Sequence, residues 1–247
     1  MVSGQIDPLG AELPAGSVGA FTTRSGGSSP APWDELNLSL DVGDEDAAVA
    51  ANRDLLVRHL AARAVVFPRQ VHGRDVMVVD QLPTGSAPQA DALVTRTPGV
   101  AIGVLAADCL PVLFADPAHH VVAAAHAGRR GLVAGVLEAT VARMAALGAE
   151  RGTTTAVIGP GICGRCYEVP DQMRAQVADT VPGTWSTSAH GTPSVDLAAG
   201  AAHVLAASGL GEVRLTGLCT AEDPRWYSHR RDGRTGRFAG VAMLVGE

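Results

Sequence analysis

Two apolar runs inside Gly99–Gly131, GVAIGVLAADCLPVLFADPAHHVVAAAHAGRRG, constrain this chain more than any other stretch. Both are rich in Val, Ala, Ile and Leu and bounded by Gly, Pro or Asp, the pattern of strands buried on both faces. Each run ends or breaks on a side chain able to ligate a metal or attack a carbon, Cys109 in the first and His126 in the second. The connection Ala115-Asp116-Pro117-Ala118-His119-His120 is short enough to join neighbouring antiparallel strands. Residues 17 apart in sequence are therefore expected to face one another across a strand pair.

The chain has 247 residues, 47% of them hydrophobic, enough for a substantial core in one large domain. Its formal charge of −6 gives no footprint for nonspecific binding of nucleic acid, so a bound anion needs a local pocket. Met1–Ala20 has no basic segment followed by an apolar run, and no later apolar stretch reaches spanning length without Asp or Gly. A soluble cytoplasmic protein with no membrane partner is the expectation. Four cysteines are too sparse for a disulfide scaffold and are expected to be thiols or metal ligands.

Taken in order, Ser17–Thr23 has the rhythm of a strand, broken by the loop Arg24–Pro30, whose Gly and Ser backbone could offer N–H groups to an anion. Asp44 is placed to cap a helix running to about Ala62, with Asn52 and Arg53 inside it. Ala64–Val71 reads as a strand bent at Pro68 that delivers His72 before Gly73. Val76–Val79 and Ala90–Val94 are short strands, with Pro83-Thr84-Gly85 turning between them. Leu132–Leu147 has helical apolar spacing and Gly148 as its stop. Thr154–Ile158 is a strand, followed by the CxxC Cys163-Gly164-Arg165-Cys166, which without a second CxxC or a His pair reads as structural or incidental. Helices follow at Asp171–Thr180 and from Val195-Asp196-Leu197 to Ser208, then strands at Glu212–Gly217 and Ala239–Val245. Arg230, Arg231, Arg234 and Arg237 could position phosphate or knit loops through carboxylates, and knitting is the commoner use.

Two imidazoles and one thiolate make a three-ligand zinc site with a free fourth position, and His72, Cys109 and His126 supply that set. Asp108 points to the opposite side of a regular strand and could support the metal ligands only through a kink, for which Pro111 is the candidate. The same trio also supports a metal-free chemistry, with Cys109 as nucleophile and a histidine as its base. Two His and one Cys also suit copper, and copper could substitute for zinc. A multicopper oxidase needs His-x-His pairs for a trinuclear cluster, and none of the eight histidines forms one.

A wider set of motifs then comes into view: Phe21-Thr22-Thr23-Arg24 with Gly26-Gly27, Asn52-Arg53, Gln70-Val71-His72, Ala107-Asp108-Cys109-Leu110-Pro111-Val112, Ala125-His126-Ala127-Gly128, Tyr227-Ser228-His229-Arg230-Arg231-Asp232-Gly233 and Thr235-Gly236-Arg237. In this order they resemble the laccase-domain family, described as polyphenol or multicopper oxidases and associated with purine nucleoside metabolism. The similarity covers about Val18 to Leu244. It implies a single α/β (α+β) domain over residues 1–247, with mixed sheets flanked by helices as in cytotoxic necrotizing factor-like cysteine hydrolases. It further implies a zinc-centred site at His72, Cys109 and His126, acting as catalytic residues and metal ligands. The activity implied is phosphorolysis of adenosine, inosine, guanosine and methylthioadenosine to base and ribose 1-phosphate, with adenosine deamination beside it, in a monomer or homodimer. Arg53 becomes the first candidate for the phosphate anchor, ahead of Arg24 and Arg230. Some members are described as editing cell-wall precursors, which keeps an amide hydrolase as the alternative, and a copper-dependent polyphenol oxidase is disfavoured. Where the family usually has Gly-Trp-Arg-Gly, this chain has Gly128-Arg129-Arg130-Gly131, which removes an aromatic surface and leaves the metal ligands in place.

Overall fold

The computed structural model describes residues 6–82, 87 and 89–246; the turn expected at Pro83-Thr84-Gly85 lies outside them. The strands are β1 (Leu9–Ala11), β2 (Ser17–Phe21), β3 (Ala64–Val66), β4 (Val76–Val78), β5 (Ala92–Thr95), β6 (Val100–Ala106), β7 (Leu110–Asp116), β8 (Val121–Ala127), β9 (Thr155–Ile158), β10 (Trp185–Thr187), β11 (Pro193–Val195), β12 (Glu212–Leu215) and β13 (Phe238–Leu244). The helices are α1 (Asp46–His59), α2 (Arg129–Ala134), α3 (Val136–Ala146), α4 (Asp171–Thr180), α5 (Leu197–Ala207) and the single turn α6 (His229–Asp232).

A five-stranded sheet in the order β1-β2-β13-β6-β3 faces a six-stranded sheet in the order β12-β9-β7-β8-β5-β4, and β10-β11 form a separate ribbon. Pairing is antiparallel except for β3–β6, β4–β5 and β9–β12, so the expected mixed sheets flanked by helices are observed. Side-chain alternation builds the layers. Leu113, Ala115, Val122 and Ala124 point into the space between the sheets, where they meet Ile102, Val104 and Phe238. Their neighbours Val112, Phe114, Ala123 and Ala125 point the other way, into a core shared with α3, α4 and α5. On the far side, Ala101, Val241 and Met243 pack with Leu56 of α1. Four layers result, and β7 and β8 are buried along their whole length in the middle of them.

The hairpin read from the sequence is present: Pro111 pairs with His126 and Leu110 with Ala127, joined by one 3₁₀ turn at Pro117–His119. One expected helix is two. Gly135 takes φ +88°, which most side chains resist, and ends α2 before α3 begins at Val136. The first of the two, α2, starts at Arg129, just after β8, instead of at Leu132. Asp44 does not cap the first long helix, which spans Asp46–His59 with Glu45 as its N-cap; the Asp44 carboxylate instead accepts from the side-chain amide of Asn37 (2.8 Å) and the Glu45 backbone (2.8 Å). The strand expected over Ala64–Val71 stops at Val66, two residues before Pro68.

Candidate metal centre

His72, Cys109 and His126 come from three different elements, yet their donor atoms all lie within 4.8 Å of one another. His126 is the penultimate residue of β8, Cys109 precedes β7 on the neighbouring strand, and His72 follows the segment after β3. Cys109 Sγ is 3.8 Å from His72 Nε2, and the two imidazole rings meet edge to face with centroids 4.8 Å apart. Gly128 is what lets them approach: a Cβ there would sit 2.7 Å from Cys109 Sγ and 3.0 Å from the His72 ring.

Two non-glycine residues with positive φ flank the site, His72 at +61° and Asp108 at +95°. Such conformations cost about 1–3 kcal/mol each and persist only where surrounding bonds over-determine them. Around His72 the anchor is Asp91, a fully buried carboxylate that sequence reasoning missed. It accepts from the backbone N–H groups of Val71 (3.1 Å), His72 (2.9 Å) and Gly73 (2.7 Å), and from His126 Nδ1 (2.9 Å). The signal was its position in an apolar strand run, where a carboxylate must find donors. Burial by itself would raise its pKa, but the His126 hydrogen bond and these backbone donors hold it at about 2.

Asp108 does not support the histidines. Its carboxylate accepts from Thr220 Oγ1 (2.7 Å), Ser228 Oγ (2.7 Å) and the Arg230 backbone N–H (2.7 Å), which fixes the kink before Cys109. The kink is at Asp108 itself; Pro111 lies inside β7. Gln70 ties the His72 segment to β6 by a two-way bond with the backbone of Leu105, both 2.8 Å.

The electrostatics couple Cys109 to His126. Burial would raise the thiol, but the His126 charge, its hydrogen bond and those of His72 bring it down to about 6. Burial would lower the His126 imidazole, but Cys109 and Asp91 outweigh it and lift it to about 9. Each shift favours the charged form, thiolate on Cys109 beside imidazolium on His126. The donor set suits a soft or borderline divalent metal, with one thiolate, two imidazoles, and Asp91 fixing the ring whose Nε2 is left to coordinate.

These side chains form one wall of a cavity of about 490 Å³, a size that takes a small organic ligand. Leu105, Ile162, Tyr167 and Leu197 give it apolar surface; Arg129, Arg230 and Arg237 give it positive charge. Arg53 does not line it. The Arg53 guanidinium donates twice to the Leu38 carbonyl (2.9 and 2.8 Å) and lies over the Phe67 ring. Arg24 is likewise outside, paired with Asp34 at 2.9 Å. The Gly/Ser loop has its N–H groups engaged internally, Gly26 on Glu35 Oε2 and Ser28 on Asn52 Oδ1, so the anion reading of that loop gives way to a structural one.

Comparison with known proteins bears on this geometry. The family described as multi-copper polyphenol oxidoreductase laccase matches residues 18–245. The chain belongs to this laccase family. Within reach of it stands a protein of Streptomyces griseus named purine nucleoside phosphorylase, 54% identical over 230 residues, covering 91% of this chain and 93% of its own. A Mycobacterium tuberculosis protein of the same name is 45% identical, covering 90% of each. Among solved structures, a Neisseria meningitidis protein superposes with TM-score 0.87 at 36% identity, covering 97% of this chain and 99% of its own. YlmD of Geobacillus stearothermophilus gives 0.84 at 31%, covering 94% and 93%. The laccase-family chain thus shares its fold with these solved structures. Among its described residues, no helix is long and apolar enough to cross a membrane.

Proposed function

We propose that this chain is a purine nucleoside phosphorylase whose centre holds zinc on His72, Cys109 and His126, and that adenosine deamination is a second activity of the same pocket. The observation that carries the reading is the convergence of those three donors on the wall of a cavity that also holds three arginines. Zinc bound there would supply Lewis acidity next to the substrate.

The chain's own groups divide the remaining work. Arg53, the first candidate for the phosphate anchor, and Arg24 do not line the cavity, whereas Arg230 does, so the phosphate role passes to it, together with Arg129. A dianion between these guanidinium groups is oriented as well as neutralised. Tyr167, Leu105 and Ile162 offer the surface a purine ring needs, and Tyr167 supplies aromatic area where residue 129 does not. Asp91 keeps the His126 proton on Nδ1.

The test is incubation with inosine and with adenosine, with and without phosphate, and with zinc measured on the same sample. Phosphate-dependent release of base is expected from both, with some inosine formed from adenosine. Release that ignores phosphate would overturn the phosphorylase reading.

A second reading has its own support: Cys109, His126 and Asp91 form a thiolate–imidazolium pair oriented by a carboxylate, the arrangement of a cysteine hydrolase acting on an amide. Full activity in metal-free protein would favour it. Polyphenol oxidation lacks ligands: among the described residues, the other cluster of three or more donors contains no histidine.

A further inference from the structure

That other cluster is Cys163, Cys166, Cys219 and Glu222, whose donor atoms also lie within 4.8 Å of one another. It is built from two matching turns. Cys166 and Tyr167 donate their backbone N–H groups to the Cys163 carbonyl (3.0 Å each), so the CxxC closes a turn with both thiols on one side. Asp223 donates to the Cys219 carbonyl (3.0 Å), so Cys219-Thr220-Ala221-Glu222 closes a second turn that presents its own pair of donors three residues apart. The turns are held against each other at their base: Gly161 pairs with Cys219 as a parallel bridge, and Thr220 donates to the Gly161 carbonyl (3.1 Å).

One backbone donor in this site faces sulfur. The Cys163 N–H points at Cys219 Sγ (3.4 Å), and the buried Cys219 is the innermost donor. N–H groups directed at sulfur favour the charged form that metals require. Glu222 approaches Cys166 Sγ at 3.6 Å and is held by both oxygens to Arg165 at 2.7 and 2.9 Å. Three thiolates and a carboxylate on a divalent cation leave two negative charges, and the Arg165 guanidinium stands where it offsets part of them. The CxxC turn packs closely on its neighbours and leaves no room for a side chain at 164, where a Cβ would meet Ser186 Oγ at 2.7 Å and Asp196 Cβ at 2.9 Å.

We propose that Cys163, Cys166, Cys219 and Glu222 form a second, structural site for a thiophilic divalent cation, zinc by preference. Four ligands with no position left for substrate distinguish a structural site from a catalytic one. A disulfide across the CxxC would use two thiols and leave the third thiol and the carboxylate without a role. The cation would clasp the loop after β9 to the loop after β12. Both loops border the cavity: Thr220 holds Asp108 beside Cys109, and the Cys166 and Glu168 carbonyls receive the Arg230 guanidinium at 3.4 and 3.1 Å. This inference does not depend on the reaction assigned above.

The test is Co(II) titration of reduced Cys109→Ala protein, in which the first centre has no thiolate. One equivalent giving an intense sulfur-to-cobalt charge-transfer band, lost in Cys109→Ala/Cys163→Ser/Cys166→Ser, is expected. In native mass spectra of the unsubstituted chain with zinc, two ions per chain are expected, falling to one in Cys163→Ser/Cys166→Ser. Glu222→Gln keeps every thiol and is expected to weaken zinc at this site by more than the about 10- to 100-fold that follows loss of a group behind a ligand. No cobalt–sulfur band in the Cys109→Ala protein, a zinc count that Cys163→Ser/Cys166→Ser leaves unchanged, or a mass two hydrogens short from a Cys163–Cys166 disulfide would each overturn the proposal.

Discussion

Asp91 Oδ1 lies 2.9 Å from His126 Nδ1 and 2.9 Å from the His72 backbone nitrogen, so one carboxylate sets the ring of one histidine and the main chain of the other. Asp91→Asn is therefore expected to weaken zinc by about 10- to 100-fold, the usual effect of removing a partner behind a metal ligand. Competition with a chelator measures this. The same carboxylate carries a pH signature. Because its pKa is depressed to about 2, its contribution to stability is fully present above the ordinary range near about 4 and is lost as pH falls toward about 2. Urea unfolding of metal-free protein should show Asp91→Asn destabilised at pH 7, with the gap to the parent narrowing below pH 4.

Cys109→Ala and His126→Ala are each expected to abolish phosphorolysis and deamination while the far-ultraviolet circular dichroism is kept, since two ligands hold zinc far less tightly than three. Turnover retained in either variant would contradict the assigned roles.

In metal-free protein, alkylation of Cys109 is expected to rise with pH around a midpoint near about 6, because the thiolate is the nucleophile. Removing the neighbouring positive charge in His126→Ala should move the midpoint upward. Rates of iodoacetamide labelling at Cys109, read by peptide mass, check both.

Gly128→Ala is expected to lose metal without losing the fold, because the added Cβ falls 2.7 Å from Cys109 Sγ and the strand pair beneath is unaffected. Metal content and thermal unfolding, measured together, separate the two effects.

Arg230→Ala and Arg129→Ala should raise KM for phosphate by tenfold or more, taking a charge-assisted contact as about 1.5–3 kcal/mol. Arg53→Ala should instead cost about 1–3 kcal/mol of stability through its two bonds to Leu38, with little change in that KM. Phosphate kinetics beside denaturant curves distinguish an anchor from a tie.

The central hairpin was legible because β7 and β8 are buried on both faces, which leaves an unbroken apolar run that nothing else in the sequence imitates. With the hairpin came the nearness of Cys109 and His126. Asp91 was not legible, since its role depends on three successive N–H groups some 20 residues earlier, and a strand pattern carries no record of that. The turn at Asp108 was hidden for a similar reason: its donors Thr220, Ser228 and Arg230 are more than 110 residues away. The break at Gly135 was not legible because the apolar periodicity continues through it, whereas its backbone angle does not. The CxxC looked incidental for want of a second pair, and that pair is Cys219 with Glu222, 56 residues on.

Val121–Ala127 is alanine at 123, 124, 125 and 127, and both sheet and helix layers press directly on those small side chains. Enlarging any of them would push whole layers apart, so the strand that carries His126 has almost no room to vary. Room to alter what the cavity accepts lies instead in its other lining, in residues 39–42 and the arginine-bearing segment 229–237.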